Sequence, residues 1–305
     1  MSTQVKYKVS DKAPNGLFIR SAPVVQNSTK IALLPMGQSV TQKSISTTKP
    51  WWEVSTTLQN TPLNGFVNSD FLVPEASFVA PAAHGSLAPV HLHNEQKVTR
   101  NGEARAFPLN EANQPGRDLK STAADKVKAL GKIIDWLDVE NKTRYKAGSG
   151  KTFCNVYSYD YCYLANAYIP RVWWMPNALS KILSGNPQSP IYGKTVEEIR
   201  ANRILNWLKE FGPSFGWRRT FDLTELQNAV NDGQVGIICA QRVDGEKPGH
   251  ICPVAPETTT QKAVRSGSSV IKPLQTNAGG TNWKYIARIW WTSSQFREFG
   301  FWIHE

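Results

Sequence analysis

One cysteine and one distant histidine carry the chemistry that this sequence suggests. Cys154 follows the run Ala147-Gly148-Ser149-Gly150-Lys151-Thr152 and opens Cys154-Asn155-Val156-Tyr157-Ser158-Tyr159-Asp160-Tyr161-Cys162-Tyr163-Leu164-Ala165, a stretch without Gly or Pro. A helix starting at or near Cys154 is therefore expected. At such a position the free backbone N–H groups and the positive end of the helix dipole favour a thiolate and draw its pKa toward neutrality. The same N–H groups can hold the oxyanion that forms when the sulfur attacks a carbonyl. His250 follows the turn Val243-Asp244-Gly245-Glu246-Lys247-Pro248-Gly249 and leads Ile251-Cys252-Pro253-Val254. With Val235-Gly236-Ile237-Ile238-Cys239-Ala240 before that turn, the pattern predicts a hairpin with His250 at one end, facing the helix of Cys154 as its base. A third polar group must orient the ring, and the strand expected over 270–277 offers Asn277 first and Gln275 second.

The remaining cysteines, Cys162, Cys239 and Cys252, lie in apolar stretches and read as small buried hydrophobes. Trp173 and Trp174, in a segment 171–203 that reads as an insertion able to line a cleft, are candidate substrate-binding residues together with Tyr157. Trp290 and Trp291 form a second tryptophan pair, readable as core or as ligand-facing. The glycines at 148 and 150 invite a phosphate-loop reading, which fails because position 145 is Tyr and the segment follows a helix instead of a strand. His91-Leu92-His93 lacks a third ligand at metal-binding spacing, so no metal and no cofactor are expected.

Several elements must position these residues. Val127, Leu130, Ile133, Ile134 and Leu137 recur at spacings of three and four, predicting an amphipathic helix capped by Ser121 or Thr122 and ending near Asn141-Lys142. The Pro/Ala/His-rich segment after Pro74 has no helical or strand period and reads as a linker. Before it, short alternating segments punctuated by Asn15-Gly16, Pro35-Met36-Gly37 and Leu63-Asn64-Gly65 read as a small all-β barrel. The expected domains are 1–75, a linker over 76–97, and 98–305.

With 40% hydrophobic and 19% charged residues and 11 Trp in 305 residues, the composition is that of globular domains, which excludes a disordered chain. Four cysteines without a Cys-x-x-Cys pair fit neither a disulfide framework nor a structural zinc site. The formal charge of +11 favours polyanionic surroundings. Its basic residues are scattered, without a Lys/Arg-rich block or a recognised motif, which argues against nucleic acid as the partner. No run of about 18 apolar residues is present to insert in a membrane. The N-terminal segment has no apolar stretch of the signal-peptide kind, so synthesis in the cytoplasm and later release or non-Sec delivery to the wall or periplasm is expected.

Two resemblances sharpen this reading. The segments at 17–23, 30–40, 51–54 and 65–72 run in the order of the bacterial SH3-type domain, which implies a cell-wall-binding module. The Phe153-Cys154-Asn155 and Gly249-His250-Ile251 segments, with a polar residue on a later strand, resemble the NlpC and CHAP families of papain-like cysteine amidases and peptidases. The sequence departs from them in its long interval between Cys154 and His250 and in having Phe153 directly before the cysteine. The resemblance implies Cys154 as nucleophile, His250 as base, Asn277 or Gln275 as the orienting residue, and peptidoglycan as partner. The implied fold class is α+β: a papain-like catalytic domain, with the helix carrying Cys154 packed on an antiparallel sheet, preceded by a small SH3-like barrel. The function expected is hydrolysis of a wall amide, either within the stem peptide or between N-acetylmuramic acid and L-alanine. Alternatives are a toxin-type protease or acyltransferase acting on protein, and a non-catalytic wall-binding protein. A phage endolysin or a delivered effector, the latter with a secretion or immunity partner, fits such a chain.

Overall fold

Short alternating segments become strands because every second side chain can enter a core while its neighbours stay wet. In the computed structural model, residues 5–10, 12, 13, 16–58, 61–78 and 87–305 are described. They belong to two units, 1–85 and 86–305. In the first unit seven strands form: β1 (Lys6–Val9), β2 (Leu17–Arg20), β3 (Lys30–Leu34), β4 (Ser39–Ile45), β5 (Trp51–Leu58), β6 (Thr61–Asn68) and β7 (Leu72–Pro74). Val9, Ile19, Leu34, Val40, Val54 and Val67 are each at most 1% exposed and make its core. Full burial of each aliphatic side chain stabilises the unit by roughly 1.5–3 kcal/mol before entropy is counted.

The strands are hydrogen-bonded in the order β3-β2-β6-β5-β4-β1-β7, with β3 and β7 at the two ends. No pairing joins those ends among the described residues, so the expected closed SH3-like barrel does not form. The resemblance placed strands where β2, β3, β5 and β6 now lie. Which edges meet is a non-local property that alternation within a strand does not encode. Asn15 of the expected Asn15-Gly16 turn lies outside the described residues, as do 79–86 of the expected linker.

In the second unit, five helices and ten strands follow in this order: α1 (Ala123–Leu137), α2 (Cys154–Leu164), β8 (Val172–Trp174), α3 (Pro176–Leu183), β9 (Val196–Glu198), α4 (Ala201–Glu210), β10 (Trp217–Thr220), α5 (Leu223–Asn231), β11 (Val235–Arg242), β12 (His250–Val254), β13 (Val264–Ser266), β14 (Ser269–Lys272), β15 (Leu274–Asn277), β16 (Trp283–Ala287) and β17 (Phe296–His304). Six strands pair antiparallel in the order β10-β17-β11-β12-β15-β16. The C-terminal strand β17 thus enters between β10 and β11. This broad sheet with short helices, none over 15 residues, overturns the expected papain-like arrangement. Two short motifs do not determine six strand partners.

Local signals fared better. α1 begins at Thr122, whose Oγ1 accepts the Asp125 N–H, and buries Leu130, Ile133, Ile134 and Leu137. It stops at Asp138, in the left-handed region at φ 48°, earlier than the Asn141-Lys142 end expected. The strand expected over 270–277 is cut at Pro273, which has no N–H to donate. Its first half, β14, pairs with β13 and its second half, β15, joins the main sheet. Residues read as linker from 87 on are part of the second unit: Val90 and Leu92 enter its core, and His91 Nδ1 lies 2.9 Å from the Tyr159 hydroxyl.

Candidate active site

The Gly-containing run before Cys154 folds as a tight turn. Ser149 and Gly150 take φ of 52° and 71°, while Gly148 and Lys151 exchange backbone hydrogen bonds at 3.1 and 2.9 Å. Two successive positive φ values are the mark of a primed hairpin turn. Three residues later α2 starts at Cys154. Phe153, its N-cap residue, supplies no side-chain hydrogen bond to the first N–H groups of the helix.

α2 is buried on nearly all sides; only Asn155 and Tyr163 retain intermediate exposure. Its charged residue, Asp160, is neutralised inside the protein. Arg144 donates from Nε at 2.7 Å and from Nη2 at 3.1 Å, and the Tyr145 hydroxyl donates at 2.9 Å. Both Arg144 and Asp160 side chains are 0% exposed. Burial opposes the Arg144 charge, yet the Asp160 carboxylate more than offsets it and holds the guanidinium pKa above its usual value. The helix is also stitched to β12: the Ser158 hydroxyl donates to the Ile251 carbonyl at 3.4 Å, and the Ile251 N–H donates to the Cys154 sulfur.

That last contact sets the Cys154 sulfur against the backbone of the strand that His250 opens. Gly249 is required at the approach, because a Cβ there would lie 2.2 Å from the Ala240 carbonyl oxygen and 2.5 Å from Asn202 Oδ1. Asn202 holds the turn that delivers His250, donating to the Lys247 carbonyl at 2.9 Å and accepting the Arg242 N–H at 3.0 Å. Asn277, on β15, places Oδ1 2.7 Å from His250 Nε2. Its Nδ2 donates to the Thr281 carbonyl at 3.3 Å, which fixes the amide so that oxygen faces the ring. His250 therefore carries its proton on Nε2 and keeps a lone pair on Nδ1. No hydrogen bond joins the thiol to the imidazole among the described residues.

Gln275 has a different task from the one considered for it. Its Oε1 accepts from Trp290 Nε1 at 2.8 Å and from the Cys252 thiol at 3.3 Å, and its Nε2 donates to the Arg288 carbonyl at 2.7 Å. Trp290 so held presents its ring to His250, with centroids 4.5 Å apart and planes at 81°. Trp291 is buried. The indole and the packed strands outweigh the Asn277 hydrogen bond: burial is the main reason that the half-buried His250 has its pKa lowered to about 4, with the Arg288 and Arg242 charges adding to it.

The thiol also departs from the expectation of an activated thiolate. Burial pushes the Cys154 pKa up, against the N–H groups of Ile251, Asn155 and Cys154 and the Arg171 charge, which pull it down. Desolvation shifts a buried group by up to several pKa units, whereas a helix terminus contributes about 0.3–1 kcal/mol, so burial wins. In this state both groups are neutral.

The candidate substrate-binding aromatics are elsewhere occupied. Trp173 and Trp174 are 4% and 7% exposed, and Trp173 packs edge-on to Trp207 and against Phe211 and Phe215. Tyr157 is fully buried, with its hydroxyl bonded to Thr276. Their apolar rings are worth more in the core than in a groove. A cavity of about 430 Å³ beside the start of α2 is lined in part by Arg105, Lys151, Phe153, Arg171, Tyr192 and Glu198. Arg171 sits between site and cavity: it donates to the Arg105 carbonyl at 2.7 Å and to the Glu198 carboxylate. Burial, then the nearby Arg144 charge, lowers its pKa to about 10, still fully charged near neutrality.

Asn202, Arg144 and Asp160 escaped the sequence reading as parts of this site, and Trp290, readable there as core or as ligand-facing, was not linked to His250. The Gly before His250 was a signal that something must approach closely there, but not what. Compared with known proteins, the chain matches no family model, no curated protein and no solved structure, so the argument for its chemistry rests on the residues and geometry above.

Proposed function

We propose that the chain is a cysteine-dependent hydrolase that cleaves an amide bond of peptidoglycan, with Cys154 as nucleophile, His250 as base and Asn277 as the residue that orients the base. The observation that carries this reading is the fixed hydrogen bond from His250 Nε2–H to Asn277 Oδ1, 2.7 Å, which leaves Nδ1 as a free acceptor on a strand stitched to the helix of Cys154.

With both partners neutral, attack and proton transfer proceed together. His250 Nδ1 takes the thiol proton as the sulfur electron pair forms the bond to the amide carbon and the C=O pair moves onto oxygen. The uncapped N–H groups at the start of α2 stabilise that oxyanion. The imidazolium, held by Asn277, then gives its Nδ1 proton to the departing amine as the C–N bond breaks. Water, deprotonated by His250, releases the acyl group and restores the thiol. Trp290 excludes bulk water from the ring.

Peptidoglycan is favoured as substrate by the resemblance of the Phe153-Cys154-Asn155 and Gly249-His250-Ile251 segments to wall amidases, and by a charge of +11, suited to a wall rich in phosphates and carboxylates. The first unit serves in this reading as the wall-binding part. Muropeptide analysis of purified sacculi after digestion tests it. Paired new amino and carboxyl termini are expected, within the stem peptide or at its junction with muramic acid; muropeptides with every amide intact, or new reducing sugar ends alone, exclude the proposal.

A further inference from the structure

The cavity lined by Phe153 at the start of α2 contains two cations whose donors are not used up. Arg171 is fully engaged, since its charge meets Glu198, and Glu198 also accepts from the Tyr192 hydroxyl at 2.8 Å. Arg105 is different. Its Nε donates to the Arg144 carbonyl at 2.9 Å and its Nη2 to the Thr143 carbonyl at 3.3 Å, while the guanidinium carbon sits 3.8 Å from the centre of the Phe153 ring. Among the described residues Nη1 has no hydrogen bond and pairs only loosely with Glu103, at 3.8 Å, whose side chain is 80% exposed. Lys151, put on the same cavity by the tight turn before α2, is exposed and makes no ion pair among the described residues.

A guanidinium held over an aromatic ring, with one edge open and the side chain 16% exposed, is prepared for an anion. Its other nitrogens are already anchored, so little side-chain freedom is lost on binding. The loose Glu103 contact shows which chemistry the open edge accepts: a carboxylate. The cavity is lined by Phe153, the residue directly before Cys154, which in the hydrolase reading is where a group flanking the scissile amide would be held.

We infer that this cavity is a substrate subsite in which Arg105 and Lys151 bind a free carboxylate of the peptide near the scissile amide, so that the enzyme selects acidic stem peptides over the same peptides with that carboxyl converted to carboxamide. The inference rests on the hydrolase reading above and adds the identity of the recognised group. Glu103 occupies the edge loosely in the free protein and swings away, as its exposure permits. A carboxamide has nearly the same size and shape, so discrimination measures charge and not fit.

The test uses two synthetic muramyl stem peptides that differ only in carboxylate against carboxamide. With the full-length wild type, kcat/KM is expected to favour the acid by about tenfold to a hundredfold, the range for a charge-assisted hydrogen bond. Arg105→Gln and Lys151→Gln should each shrink that preference, mainly through KM. Arg105 also braces the 143–144 backbone, so Lys151→Gln, on an exposed side chain, keeps the test independent of folding. Equal handling of both peptides by the wild type, or an unchanged preference in Lys151→Gln and Arg105→Gln, overturns the subsite and leaves the hydrolase reading intact. Calorimetric binding to Cys154→Ala separates the two in the other direction. If the wild type cleaves neither peptide while Cys154→Ala binds the acid at least tenfold more tightly, the subsite stands and the hydrolase reading falls.

Discussion

The seven-stranded and six-stranded sheets of this protein differ in what they bury. In the first unit the core is almost entirely aliphatic, with Val9, Ile19, Leu34, Val40, Val54 and Val67 at its centre. Its one buried guanidinium, Arg20, answers a carbonyl and a hydroxyl near its own strand end, Gln26 O at 2.6 Å and Thr29 Oγ1 at 3.2 Å. In the second unit Arg117, Arg144, Asp160, Arg171, Gln275 and Asn277 are all buried. Arg117 alone ties three distant carbonyls, those of Ala165, Gly233 and Glu305. An aliphatic core tolerates small errors of position. Buried charges and amides do not, because each lost partner leaves an uncompensated group. The second unit thus fixes α2, β12 and β15 relative to one another, as a nucleophile, base and orienting group require.

The contrast can be broken first at its strongest point. Arg144→Met leaves Asp160 buried with Tyr145 as its remaining partner and should destabilise the second unit by about 3–5 kcal/mol, read from denaturant unfolding; a loss under about 1 kcal/mol would show the pair to be dispensable. Leu34→Ala opens a cavity in the first sheet and should cost about 3 kcal/mol, shifting that unit's unfolding midpoint while turnover of a soluble stem peptide stays at the wild-type level. An equal loss of turnover would mean that the aliphatic sheet takes part in the chemistry.

A smaller effect is expected from pH. His250 has its pKa lowered to about 4 when folded, below the unfolded value of about 6.5. Between these values the unfolded chain holds a proton that the folded chain does not, so stability falls as pH drops from about 6.5 toward 4 and recovers as pH rises. The ring's partial exposure limits the loss to the order of 1–3 kcal/mol. His91 and His304 are shifted down as well, so the share of His250 is the difference between wild type and His250→Gln in unfolding curves over that range. Smallest of all, Thr122→Ala removes the N-cap of α1 and should cost about 1 kcal/mol of thermal stability without changing KM.

How much of this was legible beforehand depended on sequence distance. The start of α2 could be read because its signals are adjacent: a tight turn and then a run without Gly or Pro. The same held for the apolar face of α1 and for the His250 hairpin. The pairing of Asn277 with His250 was one of two options on a strand, because geometry across 27 residues separates Asn from Gln and sequence pattern does not. Trp290 over His250, and Arg144 under the helix of Cys154, join residues that no local signal connects. Burial was the other blind spot. It made Trp173, Trp174 and Tyr157 core residues and reversed the expected shift of the Cys154 thiol. Closure of the first sheet depended on which edge strands pair, again a non-local matter.

The central claim is that the Cys154 sulfur forms a covalent acyl intermediate with a wall peptide. Rapid quenching of the full-length protein with an excess of stem peptide, followed by mass spectrometry of the digested chain, tests it most directly. The account predicts an acyl adduct on Cys154 during turnover, loss of both adduct and turnover as pH falls toward about 4 and His250 becomes protonated, and neither adduct nor turnover in Cys154→Ala. Turnover by Cys154→Ala at the wild-type rate, or turnover by the wild type with Cys154 never acylated, would contradict it.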